Sequence, residues 1–228
     1  MTAGNPKQKV LLVDDHPLVC EWLGALLNQQ PDLRVCAQAG SGAAALEAAA
    51  ATQPDLAVVD ISLQDASGIE LIKDLKRTCP NLAVLVLSMH EESLYAERAL
   101  RAGAKGYVMK REATGKIIEA IRTVLAGKFY LSDGLAQAIA RQFVAGKPLT
   151  ARSPLEQLSD RELEVFHLLG QGLGTRRIAE LLGVSVKTVQ THCARIKAKL
   201  QLDSASALAR EAIRHYEALR LGPVDRLP

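Results

Sequence analysis

Four strand-sized apolar runs in this chain end in side chains able to handle a phosphoryl group. Val10-Leu11-Leu12-Val13 leads into Asp14-Asp15, Leu56-Ala57-Val58-Val59 into Asp60, the run at 83–87 into Ser88, and the run at 106–109 into Lys110. Three carboxylates gathered in one place repel, and raise one another's pKa unless a cation neutralises them. An all-oxygen cluster of this kind suits Mg²⁺, which keeps several waters and takes few protein ligands. Asp60 can then attack phosphorus as a carboxylate nucleophile, Lys110 offsets charge on the equatorial oxygens, and Ser88 donates a hydrogen bond. The product of such chemistry is an aspartyl phosphate. A lone strand-end Asp reads as a helix cap, but a lysine after the last strand caps nothing there.

Unbroken, branched apolar runs read as strands buried on both faces. A weaker strand is expected at 34–37, and helices at 18–27, 42–51, 69–77, 91–101 and 114–125. Pro17 suits the first turn of the first helix. Strands alternating with helices in this way specify an α/β fold, a doubly wound five-stranded parallel sheet. The C-terminal ends of its strands share one edge, so Asp14, Asp15, Asp60, Ser88 and Lys110 converge there.

At 228 residues the chain has room for two domains. No apolar stretch is long enough for a membrane span and the N-terminus is too polar for a secretory signal, so a cytoplasmic protein without membrane partners is expected. Cys20, Cys36, Cys79 and Cys193 lack Cys-x-x-Cys spacing and read as packed, reduced thiols. The net charge of +3 is unevenly placed: residues 1–150 hold 16 basic and 16 acidic side chains, residues 151–228 hold 12 and 9. Between 176 and 199 stand Arg176, Arg177, Lys187, Arg195, Lys197 and Lys199 against Glu180 alone. Such a patch points to a polyanionic partner.

Leu135, Ile139 and Phe143 step by four, the pattern of an amphipathic linker helix, before the Gly146-Lys147-Pro148 break. Ser159 with Glu162 three residues on forms a capping box. Beyond it, two short helices joined by a turn at Gly183, the second basic, make a helix-turn-helix. The last helix, 204–219, is expected to turn Leu208, Ile213 and Tyr216 to one side. The division expected is 1–126, a linker at 127–154, and 155–228.

On Asp14-Asp15, Asp60 with Gly68 eight residues on, Ser88, Tyr107 and Lys110, the first domain resembles the flavodoxin-like receiver domain of bacterial two-component response regulators. The resemblance implies that a sensor histidine kinase phosphorylates Asp60. It implies further that Asp15, Asp60 and the Ser62 carbonyl ligate Mg²⁺ beside Asp14, that Ser88 moves toward the phosphate, and that Tyr107 turns inward behind it. Spacing alone makes Tyr107 a strand aromatic. Gln64 and Arg111 depart from the family, which has proline at both places. His16 reads as a loop residue without metal-ligand spacing, and Met89 as a residue either shielding the phosphate or packing on its loop.

Leu158-Ser159-x-Arg161-Glu162, Gly172, Ser185-x-Lys187-Thr188-Val189-x-x-His192, Ile196 and Lys199-Leu200 resemble the LuxR-type DNA-binding domain, and the pair of domains resembles regulators of the NarL/FixJ type. This implies double-stranded DNA as partner and a homodimer on phosphorylation. Gln190, Thr191 and Ala194 then face base edges, while Lys187, Thr188, Arg195 and Lys199 face phosphates. Gln190 replaces a frequent lysine and can pair with adenine. Two other readings stay open: a Mg²⁺-dependent phosphatase, which would want an acid where Ser62 stands, and a receiver acting without phosphorylation. An FMN binder is disfavoured by acids where its phosphate loop would lie.

Overall fold

The computed structural model describes residues 6–63, 67–89, 92–137 and 154–221. The chain divides into two compact units, Met1–Val144 and Ala145–Pro228. Among the described residues, no helix is long and apolar enough to cross a membrane.

In the first unit the elements run β1 (Gln8–Val13), α1 (Pro17–Asn28), β2 (Leu33–Ala39), α2 (Gly42–Thr52), β3 (Leu56–Val59), α3 (Gly68–Thr78), β4 (Ala83–Ser88), α4 (Glu92–Ala102), β5 (Gly106–Met109) and α5 (Ala113–Leu125). The strands form one sheet in the order β2-β1-β3-β4-β5, with every pairing parallel. The expected α/β sheet is therefore present. Its expected helices begin and end within a residue or so of the observed ones, and β2 is longer than its weak apolar pattern showed.

Strand residues alternate faces, and both faces of the central strands are covered. Val10, Leu12, Leu56, Val58, Leu85 and Leu87 pack with Leu23 and Leu27 of α1 and Ile117, Ile121 and Val124 of α5. Leu11, Val13, Ala57, Val59, Val84 and Val86, on the other face, are equally buried. That double burial is why the strands read as continuous apolar runs. At the start of α3, Ser67 accepts from the Glu70 N–H, and the Gly68 N–H donates to the Ile61 carbonyl at 3.0 Å. Gly68 has no room for a side chain: an added Cβ would meet the Asp60 carbonyl and lie 2.5 Å from Ile61 Cα.

The second unit holds α6 (Asp160–Gly170), α7 (Thr175–Leu181), α8 (Val186–Leu200) and α9 (Ala205–Leu221). Ser159 and Glu162 complete the expected capping box at α6, and Ser185 caps α8 by accepting from the Thr188 N–H. The turn between α7 and α8 passes through Gly183 at φ +63, where a Cβ is unfavourable. Leu163, Phe166, Ile178, Val189, Ile196, Leu208 and Ala212 make the core. Gly170 lets α6 and α9 touch, since an added Cβ would stand 2.5 Å from the Ala212 carbonyl oxygen.

One expectation for α9 is corrected. Ile213 is 39 % exposed while Leu208 and Ala212 are buried, and Tyr216 packs on His167 with ring centroids 5.3 Å apart. The inward stripe thus steps 208, 212, 216. Five residues on a helix carry 213 well off that stripe. Residues 133–137 are helical, but Ile139, Phe143 and the 146–148 break lie outside the described residues.

Gly68→Ala forces backbone atoms apart, so it lowers the stability of the first unit by about 1–3 kcal/mol, the usual range for overpacking. A urea midpoint unchanged from wild type would contradict this close approach.

Candidate functional site

The parallel sheet carries Asp14, Asp60, Ser88 and Lys110 to one edge. Strand pairing continues one residue past β1 and β3, where the Asp14 N–H donates to Ala39 O at 3.1 Å and the Asp60 N–H to Val13 O at 2.8 Å. The two acids are thereby fixed on neighbouring strands. Asp60 is 2 % exposed and Ser88 fully buried. Lys110, entering from the sheet's β5 margin, places Nζ 2.6 Å from Asp14 Oδ2 and 2.7 Å from Asp60 Oδ2. The Ser62 N–H donates to Asp60 Oδ1 at 3.1 Å. Tyr107 on β5 is buried, whereas Met89 is 72 % exposed and so does not pack down on its loop. Gln64 and Asp65 lie outside the described residues, and Arg111 is the middle residue of a single 3₁₀ turn, Lys110–Glu112.

Electrostatics at this edge are a contest between burial and one lysine. Burial pushes the Asp60 carboxyl up and the Lys110 charge pulls it down; burial wins, so Asp60 lies above the usual carboxylate range. For Lys110, burial works to lower the pKa, but Asp60 and Asp14 together outweigh it and the ammonium is raised. Asp15 is less settled. Its side chain is 7 % exposed, and its Oδ1 is buried without a hydrogen bond. His16 Nδ1 stands 2.8 Å from that oxygen, in a geometry that is not a hydrogen bond.

Ligand atoms of Asp14, Asp15, His16 and Asp60 lie within 4.8 Å of one another. The oxygen-rich donor set and the orphaned Asp15 oxygen, a costly thing to bury, both fit a hard divalent cation. His16, expected to stand apart as a loop residue, instead belongs to this group. Its own N–H donates to Asp14 Oδ1 at 3.0 Å. The signal was available in the sequence, since a residue adjacent to an acid pair at a strand end shares that edge. Cys20, another residue not singled out, reaches the Asp14 carbonyl through Sγ at 3.6 Å.

In the second unit α8 is two-sided. Val189 and Ile196 face the core, and Lys187, Gln190, Thr191, Ala194 and Arg195 are exposed on the opposite side. Thr188 is half-buried and its N–H is held by the Ser185 cap. The Thr191 hydroxyl donates back to the Lys187 carbonyl at 2.9 Å. Lys199, expected to face phosphates, is likewise exposed. Its Nζ lies 2.7 Å from Oε2 of the buried Glu162, while its own side chain is 38 % exposed. Burial alone would raise the Glu162 carboxyl, but Lys199 and the Ser159 N–H reverse this and hold it below the usual range. His192 is half-buried, with Nδ1 buried and unbonded, and burial lowers its pKa.

The model of the response regulator receiver domain matches residues 10–122. That of bacterial regulatory proteins of the luxR family matches residues 156–212. Over 210 residues the chain is 34 % identical to the oxygen regulatory protein NreC of Staphylococcus haemolyticus, covering 90 % of this chain and 97 % of that protein. It is 38 % identical over 208 residues to the transcriptional activator protein ExaE of Pseudomonas putida, covering 90 % and 95 %. A two-component response regulator of the LuxR family from Aurantimonas, 34 % identical, matches with a TM-score of 0.56 over 61 % of this chain and 99 % of that one. RcsB of Salmonella enterica serovar Typhimurium, bound to promoter rprA with phosphomimetic BeF₃⁻, is 23 % identical. Its TM-score of 0.58 over 91 % of this chain and 99 % of that one speaks for the fold alone.

Because Asp60 is raised, its contribution to stability is complete below its unfolded pKa and is lost as pH rises through the folded value. Asp60→Asn therefore makes the metal-free protein more stable at neutral pH, and the advantage narrows as the solution is acidified. Urea unfolding in a chelator across pH checks this. An Asn variant weaker than wild type at neutral pH would show that Lys110 outweighs burial.

Proposed function

The chain belongs to the two-component response regulators that join a receiver domain to a LuxR-type DNA-binding domain, and from that premise we propose that Asp60 is its phosphoacceptor. The observation that supports this most is the placing of Lys110 between Asp60 and Asp14 at the edge where β1, β3, β4 and β5 end. A sensor histidine kinase supplies the phosphoryl group. An Asp60 oxygen forms the new bond to phosphorus as the phosphorus–nitrogen bond of the phosphohistidine breaks, and the departing imidazole takes up a proton.

Asp15, Asp60 and the Ser62 carbonyl would hold Mg²⁺, with Asp14 beside them. When bound, the cation neutralises the carboxylates and polarises phosphoryl oxygens. Lys110 stays within reach of the phosphoryl group and balances its charge. Ser88, buried one strand away, donates to it, and the buried Tyr107 follows behind. Exposed Met89 borders the entrance from the β4 side. A cytoplasmic setting fits a regulator served by such a kinase.

The domains of this reading are the receiver at 1–126, a linker at 127–154 and the DNA-binding domain at 155–228. Gln190, Thr191 and Ala194 of α8 face base edges in the major groove, while Lys187, Thr188 and Arg195 face phosphates. Lys199, engaged with Glu162, serves α8 by fixing its end to α6. Phosphorylation favours a homodimer, which presents two copies of α8 to two half-sites. A phosphatase using the same nucleophile would want a general acid where Ser62 stands, and multiple turnover of small phosphate esters, expected of it and not of the regulator, distinguishes the two.

Two outcomes test this reading. First, phosphorylated wild type binds its operator more tightly than the unphosphorylated chain, while Asp60→Asn treated with the same phosphodonor shows no gain; an Asn variant that still responds would remove Asp60 from the mechanism. Second, Lys187→Ala and Arg195→Ala weaken binding across sequences and each flatten the salt dependence by about one unit. Gln190→Ala instead loses about 1–3 kcal/mol of base discrimination at one position of the half-site. Selection from random DNA would expose the opposite result, an unchanged profile.

A further inference from the structure

The residues that follow α5 do not leave the receiver freely. Tyr130 forms a parallel bridge with Gly106, its N–H donating to Lys105 O at 2.9 Å and its carbonyl accepting from the Tyr107 N–H at 3.1 Å. The exposed margin of β5 thus gains one residue of a sixth strand. Gly106 is what allows so close an approach, since a Cβ there would lie 3.0 Å from Tyr130 O and 3.1 Å from Tyr130 Cβ. Two residues on, the Ser132 N–H donates to Glu92 Oε1 at 3.0 Å. Ser132 in turn caps the helical turn that follows, accepting from the Leu135 N–H at 3.2 Å.

Glu92 is the first residue of α4, four positions beyond Ser88. The start of the linker is therefore tied at two points of different character. One is the rigid sheet, beside Tyr107. The other is a single side chain at the head of the helix that follows Ser88.

We propose that the Glu92–Ser132 hydrogen bond is a latch through which the state of Asp60 reaches the linker. This rests on the reading of Asp60 as phosphoacceptor. When the Ser88 hydroxyl is drawn toward the phosphoryl group, the head of α4 moves with its strand end. Tyr130, held to β5 by two backbone bonds, does not follow. The Glu92–Ser132 bond opens, and the helical turn capped by Ser132 loses its anchor while the bridge at Tyr130 persists. Glu92 is on this account a positioning residue that acts through Ser132, with no contact to the phosphoryl group.

Hydrogen exchange of individual amides in the full chain, with and without BeF₃⁻ and Mg²⁺, tests the latch. In wild type the Ser132 amide exchanges about fivefold faster with the analogue bound, the factor an ordinary hydrogen bond contributes, while the Tyr130 amide is unchanged. Glu92→Ala makes Ser132 fast in both states, and Glu92→Gln, which keeps the acceptor oxygen, restores the wild-type difference. Fluorine resonances of bound BeF₃⁻ separate the two levels of the account. Analogue bound with Ser132 unaffected, or a wild-type response in Glu92→Ala, overturns the latch alone. Failure of the analogue to bind overturns the phosphoacceptor reading and the latch with it.

Discussion

A single ammonium lets three carboxylates share one edge of this sheet. Lys110 touches Asp14 and Asp60 at once, reaching them from β5, which runs two residues past the row of Val13 and Val59, in a sheet ordered β2-β1-β3-β4-β5. The compensation is incomplete: Asp60 remains above its ordinary range and one oxygen of Asp15 is buried without a hydrogen bond. An unsatisfied buried acceptor costs about 1–3 kcal/mol, a cost that a cation completing the site would offset.

The same balance recurs in the second unit with a different result. Glu162 is buried, yet the Ser159 N–H and Lys199 satisfy it and hold its pKa down. That cluster is closed. It fixes the end of α8 to the start of α6 and leaves Lys187, Gln190 and Arg195 as the outward chemistry of α8. The first unit's charge cluster keeps an orphaned acceptor, whereas the second unit's is satisfied.

Much of this was legible in the sequence because parallel strands announce themselves. Runs such as Leu56 to Val59, apolar on both faces, locate the strand ends, and the strand ends locate Asp14, Asp60, Ser88 and Lys110. Some of what escaped depends on a partner distant in sequence. The ion pair of Lys199 with Glu162, 37 residues earlier, leaves no mark in local spacing. Ile213 looks like core by composition, though helical periodicity places it off the stripe of Leu208 and Ala212. His16 was missed although its place beside the acid pair puts it at the same edge. The residues around Tyr130 read as linker because one bridging residue carries no period-two pattern.

The central claim is that phosphoryl transfer to this chain ends on the carboxylate at the head of β3. Borohydride reduction of the phosphorylated protein followed by peptide sequencing tests it most directly, because an acyl phosphate is reduced to an alcohol at the residue that bore it. The account predicts homoserine at position 60 and nowhere else. Reduction at Asp14 or Asp15, or a phosphoryl group that survives borohydride, would contradict it.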